Sequence, residues 1–287
     1  MSTLFLQMMN ALSYGFLLFL ITCGISLVFG ILGVLNLAHG SLYVLGSYVG
    51  FSIIMKSGLP FWFALLVVPF VIAIIGLIIE IILLRPTYKL GHLSQVLLTF
   101  GLAYIFHDLF SIIWGKNILA VSPPEILNHS VEMMGYMIPA YRLALIAIGC
   151  VIAILLWYTQ EKTKWGAVIR AGLSDKEMVG GLGVNIHLVF TLVFFFGSLL
   201  AGLGGVLGSP VLGMYPGMEF QILILSLVVL VVGGLGSVTG TFVASLLVGF
   251  VETFSRFFVP ELSLIITFAL MAVVLVVRPQ GLVGRRI

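Results

Sequence analysis

Charge is what this sequence has least of. Only 8% of its 287 residues are charged, thirteen basic and ten acidic. A soluble domain carries about 25%. So few charged groups cannot cover the surface of a water-soluble protein of this length, whereas lipid solvates apolar side chains directly. The net charge of +3 holds no basic run and gives no reason to expect a nucleic-acid partner. Cysteine is scarce too: Cys23 and Cys150 both fall inside apolar stretches, which suggests core packing rather than a disulfide or a metal site. Residues 1–10 lack Lys and Arg, and no small-residue cleavage site follows, so a cleaved signal peptide is not expected. Also missing are a glycine-rich phosphate loop ending in Gly-Lys-Ser/Thr, a zinc-ligand spacing and a nucleophile elbow. The chain is therefore not expected to be an enzyme, to bind a cofactor or metal, or to hydrolyse ATP. If it transports by ATP, the nucleotide is bound by another polypeptide.

What the sequence does have is hydrophobicity, 61% of residues. A spanning helix needs about 20 apolar residues. Candidate spans fall at 11–33, 37–55, 61–84, 93–114, 142–158, 187–208, 220–232, 240–257 and 262–277. The second, seventh and ninth are short or interrupted, so eight spans are as defensible as nine. No period-2 alternation appears, which favours helices over a barrel. The expected fold is all-α: a polytopic bundle of eight or nine transmembrane helices, two of them broken by Gly-rich segments. It forms one domain, 1–287, with an outer loop at 115–141 and a cytoplasmic segment at 159–187.

Lys and Arg favour the cytoplasmic side of a membrane. Arg85 with Lys89, then Lys162, Lys164, Arg170 and Lys176, then Arg278, Arg285 and Arg286 form three clusters. Nine spans put all three on one side, with the C-terminus cytoplasmic.

Small residues recur every four positions at Gly197, Ala201, Gly205 and Ser209, and again at Thr241, Ser245, Gly249 and Thr253. Lipid supplies no hydrophobic drive between helices, so such stripes mark close backbone approach. Two segments interrupt apolar helices. The first holds Asn36, His39, Gly40 and Ser41; the second holds Gly233, Gly234, Gly236, Ser237, Thr239 and Gly240. Ser26-Leu27-Val28 and Gly33 echo as Ser226-Leu227-Val228 and Gly233 at a constant offset. Polar groups within the apolar band must face protein or water. Each break is a pathway lining or gate, or else a polar clamp between helices.

The acids are scattered: Glu80 before Arg85-Pro86, Asp108 beside His107, and Glu252 late in the eighth span. None pairs with a second acid at mid-membrane, which disfavours an ion-coupled secondary carrier. His107-Asp108 alone is too little for a membrane-embedded enzyme. In the cytoplasmic segment, Ser174 with Glu177 forms a capping box, and Gly183 is a helix stop. The helix between, 175–182, has two turns and needs a partner to persist. It rests on its own bundle or headgroups, or it docks on a cytoplasmic protein.

These residues, taken in order, carry a resemblance. They are Asn36-Leu37-Ala38-His39-Gly40, Glu80 ahead of Arg85-Pro86, Arg170-Ala171 with Asp175, and Leu182-Gly183-Val184-Asn185. Gly233-Gly234-Leu235-Gly236-Ser237, Gly240, Glu252 and Arg278-Pro279-Gln280-Gly281-Leu282-Val283-Gly284-Arg285 complete the set. Over nearly its whole length the chain resembles the inner-membrane permeases of bacterial ABC importers for branched-chain amino acids, most closely the LivH type. It departs from them at Thr239, where the family has Pro, at Ala244 and Ser245, where it has Gly, and at Ile81 and Val179, where it often has Arg and Ala.

The resemblance implies half of a translocation pathway in a bacterial inner membrane. Its partners would be a second, LivM-like permease, two cytoplasmic ATPases that bind the ATP, and a periplasmic substrate-binding protein. The substrate would be an amino acid, branched-chain or related; similar permeases carry urea, short amides or other amino acids. Arg170, Ser174, Asp175, Glu177, Val179, Leu182, Gly183 and Asn185 match the region that couples such permeases to their ATPases.

Overall fold

A computed structural model describes residues 2–33, 35–133, 135–174, 176–181 and 183–283. Every expected span is the body of a helix: α1 (Ser2–Leu32), α2 (His39–Phe51), α3 (Phe61–Ile79), α4 (His92–Trp114), α5 (Ala140–Lys162), α8 (Ile186–Leu212), α9 (Met218–Gly233), α10 (Val238–Phe258) and α11 (Ser263–Val277). Between α5 and α8 lie two shorter helices, α6 (Lys164–Ser174) and α7 (Lys176–Gly181). A π-turn, Ser52–Lys56, extends α2, and another, Glu80–Leu84, extends α3 into the 3₁₀ turn Arg85–Lys89. Among the described residues seven helices are long and apolar enough by themselves to cross a membrane. Helices α2 and α9 have only 13 and 16 residues. The last span reaches the needed length once the turn Pro260–Leu262 is counted with α11.

Helix α1 is the axis of the bundle, with Leu18, Phe19 and Ile21 fully buried. It runs antiparallel to α8, with Gly24 against Gly197 and Ile21 against Gly204. It is also antiparallel to α10, with Gly15 against Gly249 and the Phe19 and Phe242 rings edge-on at 5.3 Å. The small-residue stripes are the seams. A Cβ added to Gly205 would lie 2.2 Å from the Tyr43 carbonyl oxygen on α2. There the backbones are close enough for Ser47 Oγ to donate to the Gly205 carbonyl at 2.9 Å. On α10, a Cβ at Gly249 would meet the Gly15 Cα at 2.6 Å. Packing of this closeness replaces the hydrophobic drive that lipid does not provide.

Helices α3, α5 and α11 turn broad apolar faces outward, among them Leu66 and Phe70, Val151 and Ile154, and Val273 and Val276. Helix α11 is tied on by one polar clamp. The buried Glu252 of α10 accepts from Thr267 Oγ1 at 2.6 Å and from Arg256 Nε at 2.7 Å.

The 115–141 loop is more structured than its sequence suggests. It carries an antiparallel hairpin, β1 (Ser130–Met133) with β2 (Tyr136–Pro139), in which Val131 pairs with Ile138. Two backbone hydrogen bonds, 2.9 and 2.8 Å, join Leu119 to Met214 and fasten the loop over the α8–α9 connection.

Candidate functional site

The first break follows Gly33, which ends α1 at φ +72°. Asn36 folds onto the chain ahead: its Oδ1 accepts from Ala38 N at 3.1 Å, while its carbonyl accepts from His39 N at 3.2 Å. Asn36 is 5% exposed and His39 1%. The His39 ring lies against Gly24 of α1, where an added Cβ would meet its Nε2 at 2.8 Å. Gly40 lies against α9, and a Cβ there would be 2.3 Å from the Glu219 carbonyl oxygen. Among the described residues, Asn36 Nδ2, His39 Nε2 and the buried Ser41 Oγ have no hydrogen-bond partner.

The second break is made of backbone. Gly234 and Gly236 have φ of +98° and +76°. Ser237 then caps α10, its Oγ accepting from Gly240 N at 3.0 Å. Gly233 and Gly240 touch so closely that a Cβ on Gly240 would lie 2.0 Å from the Gly233 oxygen. Thr239 is exposed in the first turn of α10. The C-terminal segment closes this break. Leu282 N donates to the Val232 carbonyl at 2.8 Å and Val283 N to that of Gly233 at 3.3 Å. These are terminal carbonyls of α9, which the helix itself cannot satisfy. The two motifs are 44 residues apart between Gly234 and Arg278, and the fold puts them in contact.

In the 159–187 segment the helix expected at 175–182 is present as α7, Lys176–Gly181. Asp175 and Leu182, and the side chains of Ser174 and Glu177 expected to form the capping box, lie outside the described residues. Gly183 stops the segment at φ +83°, its N bonded to the Gly180 carbonyl at 3.0 Å. Asn185 caps α8, its side chain accepting from Leu188 N at 3.2 Å. Arg170 sits on α6, 3.7 Å from Glu161. Val179 is buried within the chain, and Met178 beside it is turned outward.

Above this segment the structure assembles a cluster around Glu80, whose carboxylate is fully buried. Oε1 accepts from Arg85 Nε at 3.2 Å and Tyr88 OH at 3.0 Å; Oε2 accepts from Arg85 Nη2 at 2.8 Å and Thr191 Oγ1 at 3.0 Å. Every strong acceptor direction of the carboxylate is used, as a buried ion requires. The cluster bolts the end of α3 to Thr191 in the second turn of α8, the helix that Asn185 caps.

A second buried acid was not legible as such. Glu219 opens α9, 1% exposed, and its Oε1 lies 2.6 Å from His107 Nδ1 of α4. Its Oε2 accepts from Gly217 N at 2.9 Å. The sequence signal available was an acid one residue before an apolar run; its partner is 112 residues away.

Residues 7–275 match the family model described as the permease component of branched-chain amino acid transport systems. The chain is 30% identical to the high-affinity branched-chain amino acid transport system permease protein LivH of Escherichia coli (strain K12), over 97% of this chain and 95% of that one. It is 27% identical to the permease protein BraD of Pseudomonas aeruginosa, with 97% and 95% covered. It is 23% identical to the probable branched-chain amino acid transport permease protein LivH of Methanocaldococcus jannaschii, with 96% and 91% covered. No solved structure matches the chain.

Proposed function

Because the chain belongs to the family of permease components of branched-chain amino acid transport systems, we propose that it forms half of the translocation pathway of an ABC importer for branched-chain or related hydrophobic amino acids. The observation that carries this reading is the match to LivH and BraD from end to end, over 97% of the chain. Seven long apolar helices and several lipid-suited outer faces agree with a multi-pass inner-membrane protein. The basic clusters at Arg85–Lys89, 162–176 and 278–286 support a cytoplasmic C-terminus. The motor is separate: two cytoplasmic ATPases bind the ATP, a second, LivM-like permease completes the pathway, and a periplasmic binding protein delivers the ligand. The breaks around Asn36–Ser41 and Gly233–Gly240 serve as the parts of the pathway able to move, since irregular backbone is tolerated at membrane depth only where protein or a cavity covers it.

Coupling runs through α6 and α7. A six-residue helix does not persist on its own in water. It presents Met178 outward, and α8, which follows it, is bolted to α3 through Glu80. A push on α7 therefore reaches two spans at once. The test is reconstitution in liposomes. This chain alone, with internal ATP or an ion gradient, is expected to show no concentrative uptake; uptake under either condition would overturn the reading. In the full complex, Glu177→Lys should abolish stimulation of ATP hydrolysis by liganded binding protein while the variant still inserts. Stimulation and uptake at parental levels would move the coupling site elsewhere, for instance to Arg85–Lys89.

A further inference from the structure

The outward faces of the bundle are not alike. Those of α3, α5 and α11 carry only apolar groups through the middle of each helix. The face shared by α4 and α9 differs. Tyr104 and Asp108 of α4 and Gln221 of α9 are exposed, and His107 is 32% exposed. Tyr215 OH donates to Gln221 at 2.7 Å on the same face. Asp108 lies six residues before the end of α4, about 9 Å along the axis at 1.5 Å per residue, which is inside the apolar band. A carboxylate there is costly against hydrocarbon, and such groups face a bundle interior or water.

We propose that the α4–α9 seam lines the aqueous pathway and that His107, backed by Glu219, is a station for the ammonium group of a zwitterionic amino acid. This rests on the permease reading above and names the face through which that function runs. The geometry is specific. Glu219 is buried, and its Oε1 lies 2.6 Å from His107 Nδ1, so an ionised carboxylate there holds the ring with an Nδ1–H directed at it. With Nδ1 engaged by Glu219, Nε2 is the free ring nitrogen, on the edge away from Glu219, and the Glu219 carboxylate behind the ring favours a cationic group at that edge whenever the ring is neutral. Asp108 adds a negative charge one residue along. Beside them the rings of Tyr104 and Phe220 stand 5.2 Å apart, and Phe220 is 5.9 Å from His107, an apolar flank suited to an aliphatic side chain. The carboxylate Glu219 is already half used by Gly217 N, so it polarises the station without presenting itself to the substrate.

The test reads accessibility and charge, in the complete importer reconstituted in liposomes. With Cys150→Ser removing the exposed thiol, single cysteines are placed at Gln221 and Tyr104 and, as lipid-facing controls, at Val151 and Val273. Water-soluble thiol reagents added outside should modify 221 and 104 and not 151 or 273, and modification should block uptake. A cationic reagent should react faster than an anionic one of the same size at 221. That preference should fall by about tenfold in Asp108→Asn or Glu219→Gln, the effect of one unit charge removed at a few ångströms in a partly dry site. Labelling of 221 and 104 only by a lipid-phase reagent would overturn the pathway assignment. Equal rates for the two charges, or a preference unmoved by either substitution, would overturn the ammonium station. Failure of the parental complex to take up any amino acid would count against the importer reading itself, and the labelling pattern would still decide the seam.

Discussion

The two helix breaks share an order along the chain, a glycine-ended helix followed by a new one, yet different chemistry holds each. At 33–38 the work is done by side chains: Asn36 folds over its own backbone and His39 fills the gap beside Gly24. At 234–237 it is done by backbone: Gly233 rests on Gly240, and a returning tail donates two amide hydrogens to the end of α9. A break held by side chains is weakened by what is taken away. A break held by touching backbones is weakened by what is added.

Substitutions can sharpen or break that contrast. The largest effect is expected where the first break meets the start of α9. Gly40→Val puts a side chain into the Glu219 carbonyl, and overpacking of this kind costs about 3 kcal/mol or more. It should show as a large loss of thermal stability in detergent; parental melting would mean that α2 does not rest on α9. Next comes Gly281→Ala. The residue has φ +80° and its Cβ would meet Gly234 N at 2.5 Å. A cost of about 1–2 kcal/mol for the left-handed conformation should free the tail, so that the Leu282 amide exchanges hydrogen faster. Unchanged exchange would show that the tail does not seal the second break. Asn36→Ala removes one acceptor and should cost about 1 kcal/mol; a loss as large as that of Gly40→Val would place more than the local turn on Asn36. The smallest effect is expected from Thr239→Pro. The residue is exposed in the first turn of α10, where an amide has no partner within the helix, so stability should change by less than about 1 kcal/mol. A large loss would show that the Thr239 side chain or amide holds the break.

Legibility in the sequence followed the range of the causes. Span bodies were plain because apolar run length is a local property, and the breaks were plain because Gly33 and Gly234 are needed for positive φ. The helix at 176–181 was readable from Ser174, Glu177 and Gly183. Helix α6 was not read, although its apolar residues recur at helical spacing; Gly166 and Gly172 lower its helix propensity. Pairings across the bundle were unreadable in kind. Nothing near Glu219 points to His107, nothing near Arg278–Val283 points to Gly233, and the inward turn of Val179 depends on what packs beneath it. The spacing of Glu80 ahead of Arg85 was visible; that the two pair and that Thr191 completes the shell was not.

The central place of α1 has a consequence in time. Its closest seams are with α8 and α10, so Gly15 waits for Leu246, about 230 residues later in synthesis. At 5–20 residues per second that is roughly 10–50 s. Until α10 follows, α1 has α5 and α8 to pack on through Phe16 and Gly24, while Gly15 stands without its own neighbour. The bundle can close around α1 only after α10 has been made, and a chain cut short before α8 would leave the Gly24 seam unpacked.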